Sequence, residues 1–284
     1  MKLSKLTFFS ILFLFYSLFS GHAQSNRKVS NPNLWQDFTY DMGNVFAGGG
    51  FAYTRPLHWQ KKDFLIFGGV AGSTLLLHTV DDEIRQELRG HRNKVPQLVL
   101  DYGWYSGSPQ NNFALTSGVY LTGLFTKNEK LRRTGVLLIS SAAATGFAQQ
   151  VAKSVTGRAR PIGNLGSNHF KPFGGEVTYR SFPSGHAVLT FTNAHVIAKQ
   201  FKNPWVKSGI YAIGLVPGIT RIYEDAHWAS DVFLSWAMSY FMVEAIDIYL
   251  NRKYDKKYNS NTNGKKDSLG LSFGAGGIGV TYNF

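Results

Sequence analysis

The sequence predicts an all-α protein, a six-helix bundle with a small C-terminal β-hairpin. Six apolar segments between residues 64 and 250 are each at least as long as an ordinary globular helix. Alternation of β-branched and polar residues is scarce within them, which favours helices over strands. Clear alternation of apolar with small or polar residues is confined to residues 269–284.

The predicted helices follow the chain in order. They are Phe64 to Val80, Phe113 to Phe125, Thr134 to Ala148, Ala187 to Ile197, Val206 to Val216 and Val232 to Leu250. A short helix is expected before them, with Trp35, Phe38, Met42 and Phe46 on one face and Gly48-Gly49-Gly50 at its end. Asp81-Asp82-Glu83 is expected to begin a helix, because acidic residues favour helix N-termini.

The first 23 residues are typical of a secretory signal peptide. Lys2 and Lys5 precede an apolar run from Leu6 to Phe19, and Gly21-His22-Ala23 provides small residues for cleavage. An uncleaved membrane anchor is the alternative. The rest divides into an N-terminal arm (24–62), a helical core (63–252), a linker (253–268) and the hairpin (269–284). Export predicts a location in a bacterial periplasm or on the periplasmic face of a membrane.

The C-terminal region differs in composition from the helical core. Residues 252–268 are rich in Lys, Asn, Ser and Gly, which predicts a flexible linker. Two alternating runs around a Gly-rich turn then predict a two-stranded hairpin, which should pack on the core or on a partner because a lone hairpin is marginal in water. A final Phe is also typical of the closing strand of an outer-membrane barrel, although one hairpin cannot make a barrel.

The composition limits the classes of function. Thirty Lys and Arg against 17 Asp and Glu give a net charge of +13, which suits an anionic membrane face or phosphorylated substrates. Nucleic acid is the least suitable partner for an exported protein, and none is predicted. The absence of cysteine excludes disulfides, thiolate catalysis and cysteine zinc sites.

The sequence gives opposing signals on whether the helices span a membrane. Most of the apolar runs are shorter than the ~20 residues a spanning helix needs, and the mean hydropathy of −0.14 is low for a polytopic membrane protein. Phe64 to Val80 is nearly long enough, however, and Lys, Arg and Trp flank several segments. The sequence slightly favours a soluble or peripherally membrane-bound bundle, with spanning helices as the alternative.

One polar stretch, Ser181 to His186, precedes the predicted helix at Ala187. A helix beginning there would direct free backbone N–H groups at Ser184, Gly185 and His186, an arrangement that binds anions. Gly185 leaves room for the anion, Ser184 adds a hydroxyl donor, and His186 can exchange a proton near neutral pH. The alternative is an ordinary helix cap.

Two further clusters carry candidate chemistry. Lys153 lies at the end of a predicted helix, and Arg160-Pro161 follows it. Both basic residues are candidate phosphate ligands. The alternatives are that Lys153 only interacts with the helix dipole and that Arg160 lies in a solvated loop. Downstream, Arg221 precedes His227 and Asp231, which would share one helical face, so that the carboxylate orients the imidazole. The alternative for that pair is a surface contact.

Together the clusters resemble a known signature. Lys153-x6-Arg160-Pro161, Pro183-Ser184-Gly185-His186 and Thr220-Arg221-x5-His227-x3-Asp231 are similar to the three motifs of the type 2 phosphatidic acid phosphatase and vanadium haloperoxidase superfamily. Thr220 departs from the Ser that is common there, but it keeps a hydroxyl. The motifs span Lys153 to Asp231, and the apolar segments extend the resemblance to roughly Phe64 to Leu250.

The resemblance implies a metal-independent phosphatase of the acid-phosphatase kind, without a cofactor. His227 would attack phosphorus and form a phosphohistidine, Asp231 would orient it, and His186 would protonate the leaving oxygen and later activate water. The implied phosphate ligands are Lys153, Arg160, Ser184, Gly185 and Arg221. Arg158, inside the first motif, receives no role.

The substrate class stays broad. A phosphomonoester or a lipid (pyro)phosphate fits the motifs, with a membrane surface or interior as a possible environment. Two alternatives are a vanadium-dependent haloperoxidase, because the same pocket holds vanadate, and a non-catalytic basic envelope protein that binds anionic lipid. Vanadium haloperoxidases are generally much longer than this chain.

Overall fold

The computed structural model describes residues 33–259 and the strand segments 268–274 and 277–283. Residues 33–259 contain nine α-helices. They are α1 (Leu34–Thr54), α2 (Lys61–Thr79), α3 (Asp81–His91), α4 (Gln97–Ser106), α5 (Pro109–Phe125), α6 (Glu129–Thr156), α7 (Gly185–Ala198), α8 (Pro204–Tyr223) and α9 (Ala229–Asn259). Short 3₁₀ turns occupy Arg55–His58, Arg92–Lys94, Pro161–Gly163 and Val177–Tyr179. The predicted signal peptide lies outside the described residues.

The C-terminal strands are β1 (Ser268–Gly274) and β2 (Gly277–Asn283). They pair antiparallel, with Ser268 opposite Asn283 and Gly274 opposite Gly277. The helix before them, α9, extends to Asn259 and so includes the first residues of the expected linker. Residues 260–267, the remainder of that linker before β1, lie outside the described part.

The all-α prediction is confirmed for the helical core, and five of the six apolar segments lie inside a helix, while the first, Phe64 to Val80, extends one residue beyond α2. The described residues contain three helices beyond these six, namely α1, α3 and α4. The expected helix start at Asp81 is the first residue of α3. Counting apolar runs does not detect α3, which is largely charged, or α1, whose buried face is largely polar.

Helix α1 differs from its prediction in length and in its buried face. Trp35 and Phe46 are 67% and 79% exposed, whereas Asp37 and Asp41 are buried. Arg132 on α6 binds both carboxylates, at 2.7 and 2.8 Å, which offsets the cost of their burial. The helix also continues through Gly48-Gly49-Gly50. A Cβ at Gly48 would lie 3.2 Å from Ile246 on α9, so glycine here permits close helix packing rather than ending the helix.

Helices α6 and α9 form the centre of the bundle. Helix α6 packs against α1, α5, α7 and α9, and α9 also contacts α1, α2 and α7. Their facing sides supply much of the apolar core, including Leu137, Leu138, Ile246 and Leu250, all fully buried. This packing brings the C-terminal end of α6 close to the N-terminal ends of α7 and α9.

Two irregularities shape the region around these ends. Pro217 lies inside α8 and cannot donate to the carbonyl of Ile213, which accepts a 3.3 Å hydrogen bond from the Tyr102 hydroxyl of α4 instead. Helices α2 and α3 meet at Val80 with a bend of 62°. The first feature joins α4 to α8, and the second places His78 and Asp81 against Arg158 of the first motif.

The helices are longer than the apolar runs, so some of them reach the length that a membrane span needs. Glu129–Thr156 and Ala229–Lys257 are long and apolar enough to cross a membrane by length and composition, and the bent pair α2 and α3 adds a third candidate if it forms one span. Large apolar side chains are exposed on several helices, including Phe64, Leu65, Phe67, Leu76, Phe113, Phe125, Phe147 and Val155. An exposed apolar surface of this extent is typical of a membrane-contacting protein.

Candidate active site

The first motif lies where α6 ends. Gly157 terminates the helix with φ +55°, and a Cβ there would lie 1.8 Å from the carbonyl oxygen of Lys171, so both the turn and the close approach require glycine. Lys153 Nζ donates to the carbonyl oxygen of Arg180 at 2.9 Å, and Arg160 Nη2 lies 3.5 Å from the same oxygen. The two cations are therefore gathered at one backbone position, just before the second motif.

The second motif begins α7. Ser184 is its N-cap, and Ser184 Oγ accepts from the amide of Ala187 at 3.5 Å, so the capping interpretation applies to this serine. The amide of Ser184 donates to Ser235 Oγ of α9 at 2.8 Å. Gly185 and His186 then form the first turn of α7, whose free N–H groups and dipole favour an anion.

His186 is enclosed by α4, a helix without any motif. The ring of Trp104 lies 5.3 Å from the His186 ring, centroid to centroid. Gly107 makes this approach possible, because a Cβ there would lie 2.5–2.7 Å from the imidazole. Trp104 also lies 5.0 Å from the guanidinium carbon of Arg221, which forms an ion pair with Glu224. Trp104 thus links the second motif to the third.

The expected helical pairing of His227 with Asp231 needs correction. Helix α9 begins at Ala229, so His227 lies in the loop before it, and Asp231 lies in its first turn. His227 Nδ1 is 3.8 Å from Asp231 Oδ2, which is an ion-pair distance and too long for a hydrogen bond. The backbone amide of Trp228 donates to the same oxygen at 3.0 Å, so the carboxylate caps its own helix.

The Asp231 carboxylate is held by residues that the motifs did not single out. Ser181 Oγ donates to Oδ2 at 2.5 Å, and Arg158 Nη1 donates to Oδ1 at 2.6 Å. Trp228 is fully buried, and its indole N–H donates to the carbonyl oxygen of Ala159 at 2.8 Å. These contacts join the first two motifs to the third, and sequence spacing gave no signal for any of them.

Unpaired polar atoms concentrate at this place. Within the described residues, five buried nitrogens of the motif side chains have no hydrogen-bond partner: His186 Nε2, His227 Nδ1, Arg160 Nε, and Nε and Nη2 of Arg221, the last of which lies against Glu224. Buried donors are rarely left unpaired, because each one costs about 1–3 kcal/mol. His227 Nδ1 faces Asp231, and the other nitrogens fit a shared oxyanion ligand.

Electrostatics agree with that chemistry. Burial, followed by the positive charge of Arg221, lowers the pKa of His186 to about 3, with smaller effects of His227, Lys153 and Arg160. Burial also lowers the pKa of His227 to about 4, with Lys153 and Arg160 acting in the same direction and Asp231 opposing them. Both imidazoles are therefore neutral at pH 7 in the free protein, among cations that favour an anion.

Comparisons with known proteins point to one family. Residues 134–254 match the model of the PAP2 superfamily, and this range contains all three motifs. The chain is 32% identical over 198 residues to a lipid A 1-phosphatase of Rhizobium etli, covering 64% of this chain and 81% of that protein.

Two further relatives match shorter segments. The lipid A 1-phosphatase of Rhizobium johnstonii is 32% identical over 105 residues, 42% of its length. That of Porphyromonas gingivalis is 30% identical over 115 residues, 23% of its length. The chain belongs to the PAP2 superfamily, as its three motifs predicted.

Proposed function

We propose that this phosphatase removes a phosphate group from a membrane lipid through a phosphohistidine intermediate on His227. The observation that carries the proposal is the set of unpaired buried nitrogens on His186, Arg160 and Arg221, next to His227. They surround the first turn of α7, where backbone N–H groups add further donors. A tetrahedral phosphate offers several oxygens to such a set, whereas a neutral ligand brings no charge to balance Lys153 and Arg160.

The reaction divides into two displacements. In the first, the unprotonated ring nitrogen of His227 attacks phosphorus, the P–O bond to the lipid breaks, and His186 gives its proton to the leaving oxygen. In the second, His186 takes a proton from water, the oxygen of which attacks the phosphohistidine and releases phosphate. Lys153, Arg160 and Arg221 bind the phosphoryl oxygens in both steps, so these side chains supply the positive charge that phosphoryl transfer needs.

His186 needs a proton before the first step. Its pKa of about 3 in the free protein is set by burial and by the neighbouring cations, mainly Arg221. A bound phosphate dianion places negative charge among those cations and raises the pKa of His186 in the complex. The substrate itself therefore brings the proton donor into the required state.

A lipid is the substrate that the molecular surface favours. Apolar side chains are exposed on α2, α5 and α6, and α6 ends at the phosphate site. Two helices have the length and composition of membrane spans. The three relatives are named lipid A 1-phosphatases, so a phosphate on a glycolipid anchor is the first substrate to test. With the predicted signal peptide, the proposal locates the site at the periplasmic side of a membrane.

The test measures phosphate release from lipid A in detergent micelles, with a soluble phosphomonoester in parallel. We expect hydrolysis of the lipid at a higher kcat/KM than that of the soluble ester, and loss of both activities in His227→Gln. A preference for the soluble ester would remove the lipid part of the proposal. Binding of the lipid without hydrolysis would favour the non-catalytic alternative, and halide oxidation with added vanadate and peroxide would favour a haloperoxidase.

A further inference from the structure

Arg158 is the most completely bonded polar side chain near the site. It is 1% exposed, and an arginine has five N–H donors. Nε donates to the carbonyl oxygen of Ser167 at 3.0 Å. Nη1 donates to Ser230 Oγ at 2.8 Å and to Asp231 Oδ1 at 2.6 Å, and Nη2 donates to Asp81 Oδ2 at 2.7 Å and to His78 Nδ1 at 2.6 Å. Every donor has an acceptor, so the guanidinium cannot turn without losing several bonds.

The surroundings of Arg158 strengthen these bonds. The rings of Trp228 and Phe170 lie 5.4 and 6.0 Å from its guanidinium carbon, within the range of cation–π attraction. Both carboxylates that bind it, Asp81 and Asp231, are fully buried. Charge pairs that are shielded from water interact more strongly than exposed pairs, and removing one partner leaves a buried charge.

Two residues at the bend between α2 and α3 also bind Arg158. His78 and Asp81 flank the break at Val80, so the 62° bend directs both toward Arg158. His78 Nε2 bonds to Asn168 Oδ1 at 2.9 Å, which leaves Nδ1 to accept from Arg158. Asp81 Oδ1 accepts from the amide of Ser230, at the start of α9. Arg158 is therefore fixed from both sides relative to α9.

Asp231 depends on this network for its orientation. Its Oδ1 is bound by Arg158, while its Oδ2 is bound by Ser181 and faces His227 Nδ1 at 3.8 Å. Because each oxygen has its own partner, the carboxylate cannot rotate freely. Loss of the Arg158 bond would free Oδ1, so that only the Ser181 and Trp228 bonds to Oδ2 would hold the carboxylate facing the imidazole.

We propose that Arg158 is a positioning residue of the phosphatase reaction, which holds the Asp231 carboxylate behind His227 and is itself anchored by Asp81 and His78. The inference deepens the proposed function, because it rests on the role of His227 as nucleophile. All five donors of Arg158 are bound to protein acceptors, so none is left for the phosphate. Its effect passes through Asp231, and this distinguishes it from a residue that only stabilises the fold.

A double-mutant cycle tests this dependence. Arg158→Lys keeps the charge but cannot make five directed bonds. We expect it to lower kcat about 100-fold with KM within about threefold, as for a misplaced catalytic group. In the Asp231→Asn background the same substitution should cost less than about threefold, because the group it positions is already lost. A full 100-fold loss in both backgrounds would overturn the proposal.

Arg132→Lys provides the matched control. Arg132 is also buried and bound to two carboxylates, Asp37 and Asp41. It lies on α6 about 30 Å from Lys153 at ~1.5 Å per residue. We expect Arg132→Lys to lower the melting temperature but to leave kcat within about twofold. If Arg158→Lys does not fold, Asp81→Asn replaces it in the cycle, with an expected loss of about tenfold that disappears with Asp231→Asn.

A second measurement separates this inference from the proposed function. The tautomer of His227 can be followed by ¹⁵N NMR of histidine-labelled protein, with the signal assigned through His227→Gln. We expect one tautomer in the wild type, a mixture in Arg158→Lys, and the wild-type spectrum in Arg132→Lys. An unchanged His227 signal in Arg158→Lys would contradict the positioning role. Absence of wild-type phosphatase activity would instead refute the proposed function while this spectrum still tests Arg158.

Discussion

His227 Nδ1 and Asp231 Oδ2 lie 3.8 Å apart, and the carboxylate is the immobile partner of the two. Ser181, Arg158 and the Trp228 amide bind its oxygens, whereas His227 Nδ1 has no hydrogen-bond partner among the described residues. A shift of the imidazole by about 1 Å makes the bond. Catalytic hydrogen bonds that are long in a free enzyme commonly tighten in its complex, so we expect phosphate binding to close this pair.

The first prediction concerns pH. His227 must be neutral to attack phosphorus, and its pKa is lowered to about 4, chiefly by burial. A lowered pKa keeps the neutral form as the pH falls, so on the acidic limb of the profile protonation of His227 should lower kcat/KM only near pH 4. Titration of the substrate near ~6 is measured separately and divided out. An enzyme group titrating near the ordinary histidine value of ~6.5 in that profile would contradict the assignment.

The second prediction separates the two histidines by leaving group. His186→Ala removes the proton donor, so it should slow hydrolysis of an alkyl phosphate by about 10²–10⁴-fold. A nitrophenyl ester leaves without a proton, and its first displacement should be nearly unaffected. Single-turnover release of nitrophenol checks this. Equal losses on both esters would assign His186 to some role other than proton donation.

The third prediction concerns metals. Three cations and a helix N-terminus surround the proposed phosphate position, and such groups can neutralise the charge of a transferring phosphoryl group. Activity should persist in EDTA and should be inhibited competitively by vanadate, which resembles phosphate. Restoration of an EDTA-sensitive activity by a divalent cation would refute the metal-free mechanism.

The fourth prediction concerns the membrane. If the exposed apolar surface of α2, α5 and α6 contacts lipid, the protein should stay in the membrane fraction after high-salt and alkaline carbonate washes. Detergent alone should release it. Recovery in the salt wash would indicate peripheral attachment, and recovery without any wash would indicate a soluble protein.

The sequence alone identified the candidate site residues but not the residues that hold them in place. Lys153, His186 and His227 belong to motifs whose internal spacing is short, so local pattern identifies them. The residues around them come from distant parts of the chain: Asp81 and Arg158 are 77 positions apart, and Trp104 reaches His186 from a helix without a motif. No sequence periodicity predicts such contacts, because they depend on how α3 packs on α9 and how α4 packs on α7.

The fold, too, was predicted where local pattern decides it and not where long-range packing does. Apolar runs located six helices correctly, but polar helix ends lengthened α6 and α9 enough to qualify as membrane spans. Glycine at position 48 predicted a helix end by its intrinsic preference, while packing against Ile246 and Ser140 made it part of the helix. Asp37 and Asp41 were buried because Arg132, 95 and 91 positions away, binds them.

The phosphohistidine is the central claim, and a rapid-quench experiment with ³²P-labelled nitrophenyl phosphate, whose leaving group needs no proton, tests it most directly. The mechanism predicts that label appears on the wild-type protein in a bond that resists alkali and breaks in acid, and that the label accumulates in His186→Ala, which activates water poorly. No label should appear in His227→Gln. Turnover without protein-bound phosphate, or the same labelled species in His227→Gln, would contradict the account.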